Sequence, residues 1–417
     1  MPTSTAAPTP RGSVATKAEM TNEQRTTLFM VMGATMALDA GNGAVFGLLE
    51  RIKELKGLET AEVGFISASL FGASLIGLLT LAHFADKGYA RVMLLSGLGL
   101  SAASLIWFGL ADSLWELVAA RAGSGIALSL FMSGGRSIVA RLSPARAGEN
   151  LGKLAGAEIF GFLLGPVLSV GLFRIGGLSL PFFTFAGVAI VALIYFGIHF
   201  PTTAPVTAAP KQNAWKRTGL DLLGDRGVLA AALLALAVFL PVGAYDSMWS
   251  IYLSDLGGST DFIGITLTLY AIPLVLLSGI GGRYVDRVGP MVAVRRSFCV
   301  ALPVIVAYGL LTNIWIVVFV AVIEAAAQAV AAPAAQSAMS RACPPERTGA
   351  GQGLAGAFGL CGGGLLASVA PAVYDRYGAD VLFIGVAGLV GAIAVASMIL
   401  DRSHHQRLAA TAASLPA

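Results

Sequence analysis

The stretch that decides the fold is GKLAGAEIFGFLLGPVLS, residues 152–169, inside a long apolar run. Small residues recur every fourth place: Ala157, Gly161, Gly165 and Ser169. A four-residue spacing puts them on one face of a helix. In hydrocarbon, apolar side chains gain nothing by leaving lipid for one another, so helices join where small residues let backbones approach. Pro166 removes one backbone donor and bends the helix. A bend in a dry segment persists only where neighbouring helices satisfy the freed carbonyl. The segment reads as a bent membrane helix with one closely packed face.

Working outward, the 417-residue chain is 56% hydrophobic and 12% charged, with a mean hydropathy of +0.79. Soluble domains carry about twice that charged fraction, so a soluble enzyme is excluded. The formal charge of +4 is too small to suggest a nucleic-acid partner. A span needs about 20 apolar residues. The chain supplies such stretches at 28–49, 62–84, 91–110, 114–138, 150–173, 178–200, 228–253, 261–282, 292–312, 314–338, 350–373 and 380–400. The expected fold class is all-α, with twelve membrane helices in two six-helix bundles, 28–200 and 228–400. The segments 1–27 and 401–417 read as disordered tails, and 201–227 as a linker. The basic, amphipathic part of that linker, Trp215 to Leu223, suits the membrane surface.

Lys and Arg set the orientation. One set of loops holds Lys87, Arg91, Arg141, Arg146, Lys211, Lys216, Arg217, Arg226, Arg283, Arg287, Arg295, Arg296, Arg341 and Arg347. The opposite set holds Arg51, Lys53, Lys56, Arg174 and Arg376. Both termini are therefore expected in the cytoplasm, with the chain in the plasma membrane. The halves read as repeats. Pro144, Arg146, Gly148, Gly152 and Gly161 match Pro345, Arg347, Gly349, Gly353 and Gly362 at a shift of 201, and Asp86 matches Asp286 at 200.

These features resemble the major facilitator superfamily, and within it the twelve-span drug/proton antiporters. Gly282-Arg283-Tyr284-Val285-Asp286-Arg287-Val288-Gly289 is similar to the superfamily's loop signature between the second and third spans of each half. The first-half copy around Asp86 departs from it: Ala82 replaces the leading Gly, and Gly88 comes one place early. The resemblance implies a gate on the cytoplasmic face built on Asp86, Gly282, Asp286, Arg287 and Gly289. Gly152, Gly161, Gly165 and Pro166 resemble the antiporter signature, although Ser169-Val170 stand where its closing Gly-Gly would be. These glycines are expected to press the fifth helix against the opposite half. Arg121, four residues before Gly125 on the fourth span, resembles an antiporter motif whose Arg influences proton binding.

Ionisable residues inside spans are costly, by about 2.5–3.5 kcal/mol on insertion scales, and usually face a cavity. Asp39, Arg121, Asp246 and Glu324 fall on the first, fourth, seventh and tenth spans, the helices that line the cavity in the fold this resembles. Glu158 falls on the fifth span; Arg136 and Lys153 also lie within spans, without an assigned role. The expected proton-coupling set is Asp39, Arg121, Glu158, Asp246 and Glu324. Asp39 is the main carrier and Arg121 its modulator, because a nearby cation favours the charged carboxylate. Phe46, Phe131, Met132, Tyr245, Met248, Trp249 and Tyr270 are candidate walls of a greasy substrate cavity.

The expected function is proton-coupled export of hydrophobic or amphipathic small molecules by alternating access. Transport of a defined metabolite, siderophore or lipid stays open beside it, as does a non-transporting receptor of the same fold. No cofactor is expected: there is no phosphate-cradling Gly-x-x-x-x-Gly-Lys-Ser/Thr loop, and the proton gradient would supply the energy. No metal site is expected from the four His and three Cys. The expected partners are substrate, protons and the bilayer, with a monomeric chain.

Overall fold

The computed structural model describes residues 20–81, 84–142, 147–199, 219–344 and 347–413. Helix α1 (Asn22–Lys56) opens on a capping box, in which Thr21 and Gln24 satisfy each other's backbone donors. It closes on Gly57, whose left-handed φ of 64° suits glycine. Then follow α2 (Thr60–Leu81), a π-turn (Ala85–Tyr89), α3 (Ala90–Leu110), α4 (Leu114–Leu142), α5 (Ala147–Gly176) and α6 (Ser179–His199). A 3-10 turn (Leu220–Gly224) leads into α7 (Arg226–Asp255), α8 (Thr260–Val288), α9 (Pro290–Leu310) and α10 (Ile314–Ala342). Asp225, Ser259 and Asn313 cap α7, α8 and α10.

The last helical run, Thr348–Ala413, would extend roughly 100 Å as one rod, about three times the hydrocarbon thickness. Gly378, with φ 88° and ψ 175°, breaks it into α11 (348–377) and α12 (379–413). The described residues therefore form twelve long apolar helices, close to the expected spans. The ends differ from expectation. Helix α1 starts at Asn22 and not at 28, and α12 continues through Ala413, so 401–413 is helical and not a disordered tail. The second part of the expected linker folds onto the second half. Leu222 is buried, Asp221 pairs with Arg347 at the start of α11, and Gly219 lies against Ala350. Trp215, Lys216 and Arg217 lie outside the described residues.

The repeat is written into the turns. Gly57 and Gly257, Gly88 and Gly289, and Gly177 and Gly378 all have positive φ, and each pair is separated by 200 or 201 residues. Gly88 keeps the left-handed role of Gly289 although it stands one residue nearer its Asp; the π-turn over Ala85–Tyr89 accommodates the difference.

Within each half the closest approach joins the first helix to the fifth. On α5, a Cβ added at Gly161 would fall 2.5 Å from the Met36 carbonyl, and Gly165 abuts Ala40. From α1, Gly43 abuts the Phe162 carbonyl and Gly47 meets Pro166. The second half repeats this with Gly243 of α7 against Gly363 of α11. The small-residue face of α5 therefore packs on α1 of its own half, and not on the opposite half as expected. The reason is the bend: Gly43 and Gly47 on α1 complement it, while Pro166 and Val170 meet Gly264 of α8 across the interface.

The halves meet through α2 with α11, α5 with α8, and α1 with α7. The polar crossings cluster at the end of the bundle away from the chain termini. There Arg51 Nε donates to Thr260 Oγ1 at 2.7 Å, and Arg174 pairs with Asp261. At the other end Gln24 bonds Leu142, and Asp221 bonds Arg347, each within one half.

Substituting Gly165 by Leu should destabilise the protein by about 1–3 kcal/mol or more through overpacking. Gly156→Ala on the same helix, where an added Cβ meets nothing within 4 Å, should leave stability unchanged. Thermal unfolding in detergent compares the two.

Candidate functional site

Three polar clusters lie inside the helical bundle. The first joins α1, α4 and α5. Arg136 donates to both carboxylate oxygens of Glu158, at 2.9 and 3.1 Å from Nη2, with a third bond of 3.3 Å from Nε. The Arg136 side chain is 56% exposed and that of Glu158 20% exposed, so this pair borders open space. Asp39 lies behind it, buried, with Oδ2 lacking a hydrogen-bond partner. Both Glu158 and Arg136 act electrostatically on Asp39. Tight α1–α5 packing holds the two carboxylates on a common frame, whereas Arg136 reaches in on a long side chain from α4.

The second cluster spans the two halves. Arg121 of α4 is 1% exposed, and its Nη1 donates to the backbone and side-chain oxygens of Asn42 at 3.2 and 3.3 Å. Its Nε and Nη2 have no partner. Asp246 of α7 is its electrostatic counterpart, but the two form no ion pair within 4.0 Å. Asp246 Oδ2 is also unpartnered, and Ser67 of α2 donates to the Asp246 carbonyl at 3.5 Å. Asp246 lies towards the C-terminal end of α7 and is buried.

The third cluster belongs to the second half. Glu324 of α10 is buried and accepts one hydrogen bond on each oxygen, from Tyr245 of α7 at 2.9 Å and Tyr308 of α9 at 2.8 Å. Tyr252 in turn donates to the Tyr308 carbonyl at 2.5 Å. With its acceptor sites occupied, Glu324 pins three helices together.

The expected set is thus divided. The cation beside Asp39 is Arg136, not Arg121, which instead sits with Asn42 and faces Asp246. Arg136 was recognisable as an intramembrane cation, but its pairing with Glu158 depends on the α4–α5 packing. Asn42 and Tyr308 carried no signal: one is a neutral residue near Asp39, the other resembles any aromatic near a span end.

Of the expected cavity walls, Tyr245 and Trp249 form an aromatic group with Tyr308, with ring centres 5.2–6.1 Å apart. Phe46 stacks on Phe162, and Tyr270 is partly buried and acts electrostatically on Tyr245 and Tyr308 beside Glu324. Phe131 is not a cavity wall. It is fully buried, and its backbone N and Cβ pack against Gly97 of α3, where a side chain would not fit. Met132 and Met248 are likewise buried in hydrophobic clusters.

In the loop signature, Asp286 is exposed and lies 4.0 Å from Arg341 of its own half. Gly282 and Arg287 continue α8, and Gly289 ends it. The side chain of Asp86 and residue Gly152 lie outside what is described in detail. Among the described residues, no group of three or more His, Cys, Asp or Glu could hold a metal ion.

The model of the Major Facilitator Superfamily matches residues 29–245 and 228–415, one match for each half. The chain belongs to the Major Facilitator Superfamily. Its members are membrane transporters and not enzymes. The chain is 25% identical over 238 residues to the multidrug resistance protein MdtG of Proteus mirabilis, covering 55% of this chain and 58% of that protein. It is 24% identical over 213 residues to the uncharacterised transporter YuxJ of Bacillus subtilis, covering 50% and 54%. The chain thus spans little more than half the length of the curated relatives it matches. The nucleoside transporter NupG shares the fold at TM-score 0.74 and 12% identity, covering 90% of this chain and 99% of that one. A bacterial homologue of the lysosomal transporter Spinster does so at 0.68 and 12%, covering 93% and 96%. At these identities the likeness is one of fold.

Replacing Arg121 by Met leaves Asp246 buried without its counter-charge. An uncompensated buried charge is destabilising, though less so here than where a direct ion pair is broken, because the two side chains do not meet within 4.0 Å. Adding Asp246→Asn to Arg121→Met should restore a large part of that stability. Thermal unfolding of the single and double variants measures the coupling; simple additivity would separate the two residues.

Proposed function

We propose that this protein is a proton-coupled secondary transporter that exports hydrophobic or amphipathic small molecules by alternating access. The observation that carries the reading is the Asp39–Glu158–Arg136 cluster. It sets the Arg136–Glu158 pair at the edge of open space with the buried carboxylate of Asp39 behind it, so that one compensating charge serves two acids. The similarity to MdtG, a multidrug resistance protein by name, supports the substrate class. The aromatic group of Tyr245, Trp249 and Tyr308 supplies apolar surface that does not demand one ligand shape.

The distribution of Lys and Arg supports a plasma-membrane protein with both termini in the cytoplasm. In that orientation the polar crossings at Arg51–Thr260 and Arg174–Asp261 close the external end, and the Arg136–Glu158 pair faces the cytoplasmic side. Asp39 would receive its proton from outside in the alternative arrangement of the halves. Movement of Arg136 from Glu158 towards Asp39 stabilises the carboxylate and expels the proton inward. Asp39 and Glu158 are the carriers in this scheme. Arg121–Asp246 links the halves near the closed end, and Glu324 is held in its phenol pair.

Proteoliposomes with an imposed pH gradient and ethidium as probe test the proposal. The wild type should drive ethidium against its gradient, whereas Asp39→Asn should lose gradient-driven movement and retain ethidium binding. Full driven transport by Asp39→Asn would remove Asp39 as carrier. The ion pair makes a sharper prediction for the pH at half-maximal substrate-linked proton release. Glu158→Gln frees Arg136 for Asp39 and should lower that pH. Arg136→Gln leaves two acids without a cation and should raise it. Shifts in the same direction would refute the shared-cation scheme.

A further inference from the structure

On the flank of the second half, a cleft of about 320 Å³ opens between α8, α9 and α10. Helix α9 packs against α10 and the α11–α12 run but makes little contact with α8, so the cleft lies where α8 and α9 diverge. Its wall is apolar, with Val300 of α9 and Ile323, Ala326 and Val330 of α10. Val300 and Ile323 are 42% and 38% exposed on a face that meets hydrocarbon in a bilayer. Its polar end, towards the chain-terminal side, is formed by Arg296 and Tyr284. Arg296 Nη1 donates to Tyr284 Oη at 2.5 Å, and this bond holds the guanidinium along the cleft with its other donors free.

The surrounding charge is one-sided. Arg283, Arg287, Arg295 and Arg296 are all exposed, and none forms an ion pair within 4.0 Å among the described residues. Helix α9 carries no acid, and α10 has none beyond Glu324. The one acid at this end of α8, Asp286, lies by Arg341. An apolar furrow ending in unpaired arginines at the membrane interface matches one molecule in shape and charge. We propose that this cleft is a binding site for an anionic phospholipid, with an acyl chain along Val300, Ile323 and Val330 and the phosphate on Arg296. Basic sites between helices at an anionic leaflet bind such headgroups, and each Lys or Arg near the surface contributes about fivefold in affinity. The site stands apart from the central clusters and does not depend on what is transported.

The test uses the full-length protein in nanodiscs of mixed phosphatidylglycerol and phosphatidylcholine, followed by native mass spectrometry of lipids retained in detergent. Phosphatidylglycerol should be retained in preference to phosphatidylcholine. Arg296→Gln should reduce that retention about fivefold. Ala326→Phe, which fills the cleft and leaves every charge in place, should reduce it comparably in protein that remains monodisperse. Arg402→Gln, at the same end of the bundle but away from the cleft, should not. Equal loss in Arg402→Gln, or no loss in Ala326→Phe, would mean diffuse surface attraction and overturn the site. Displacement by millimolar glycerol 3-phosphate would show a phosphate site without a place for the chain, and would overturn it as well.

Discussion

The approach of α1 to α5 and of α7 to α11, close enough that no side chain fits between, is the contact on which the rest depends. In lipid there is no hydrophobic force to press helices together, so close packing itself must supply the attraction. Gly43, Gly47, Gly161 and Gly165 give that contact in the first half, and Gly243 and Gly363 in the second. The consequence is rigidity within each half. Asp39 and Glu158, carried on α1 and α5, are fixed to one frame. A transporter that alternates between two arrangements needs such frames, because a charge placed on a loose helix could find its partner in every state.

Against that frame the charges are distributed by burial. Arg136 and Glu158 are paired where space is open, and Asp39 is enclosed behind them. Arg121 and Asp246 are enclosed near the end where the halves meet and leave donors and acceptors unmatched. Glu324, also buried, has a hydrogen bond on each oxygen. An unmatched buried group is costly, and a protein keeps one where another arrangement of the same helices can satisfy it. By that criterion the Asp39 and Arg121–Asp246 clusters are suited to a moving part, and the Glu324 cluster to a fixed one.

The helices, their number and the repeat were legible in the sequence because they follow from hydropathy and glycine spacing, which act locally. The tight face of α5 was legible too, but its partner was not. A stripe of small residues states that something comes close without saying what, and the complementary glycines on α1 are apparent only once α1 is placed beside it. The acids were legible one by one as charges in apolar runs. Their grouping was not, because Asp39 and Arg136 are brought together by packing across three helices. Phe131 shows the converse: a side chain that looks suited to a cavity is buried in a hydrophobic cluster, on a stretch of α4 that packs closely on Gly97 of α3.

The repeat explains why the chemistry had to be found residue by residue. The left-handed turn glycines survive in both halves, and so does the α1–α5 contact as α7–α11. The ionisable residues inside the spans do not. At a shift of 201, Asp39 corresponds to Leu240, Arg121 to Val322, Arg136 to Ser337 and Glu158 to Gly359, while Asp246 and Glu324 correspond to Val45 and Gly123. Backbone geometry constrains both halves alike, since each must pack six helices in lipid. A charge is needed only where it acts, and a second copy would add burial cost without a partner. The two halves therefore share a scaffold and divide the electrostatics. The shared-cation cluster lies in the first, the phenol-held acid in the second, and Arg121 and Asp246 face each other across the boundary between them.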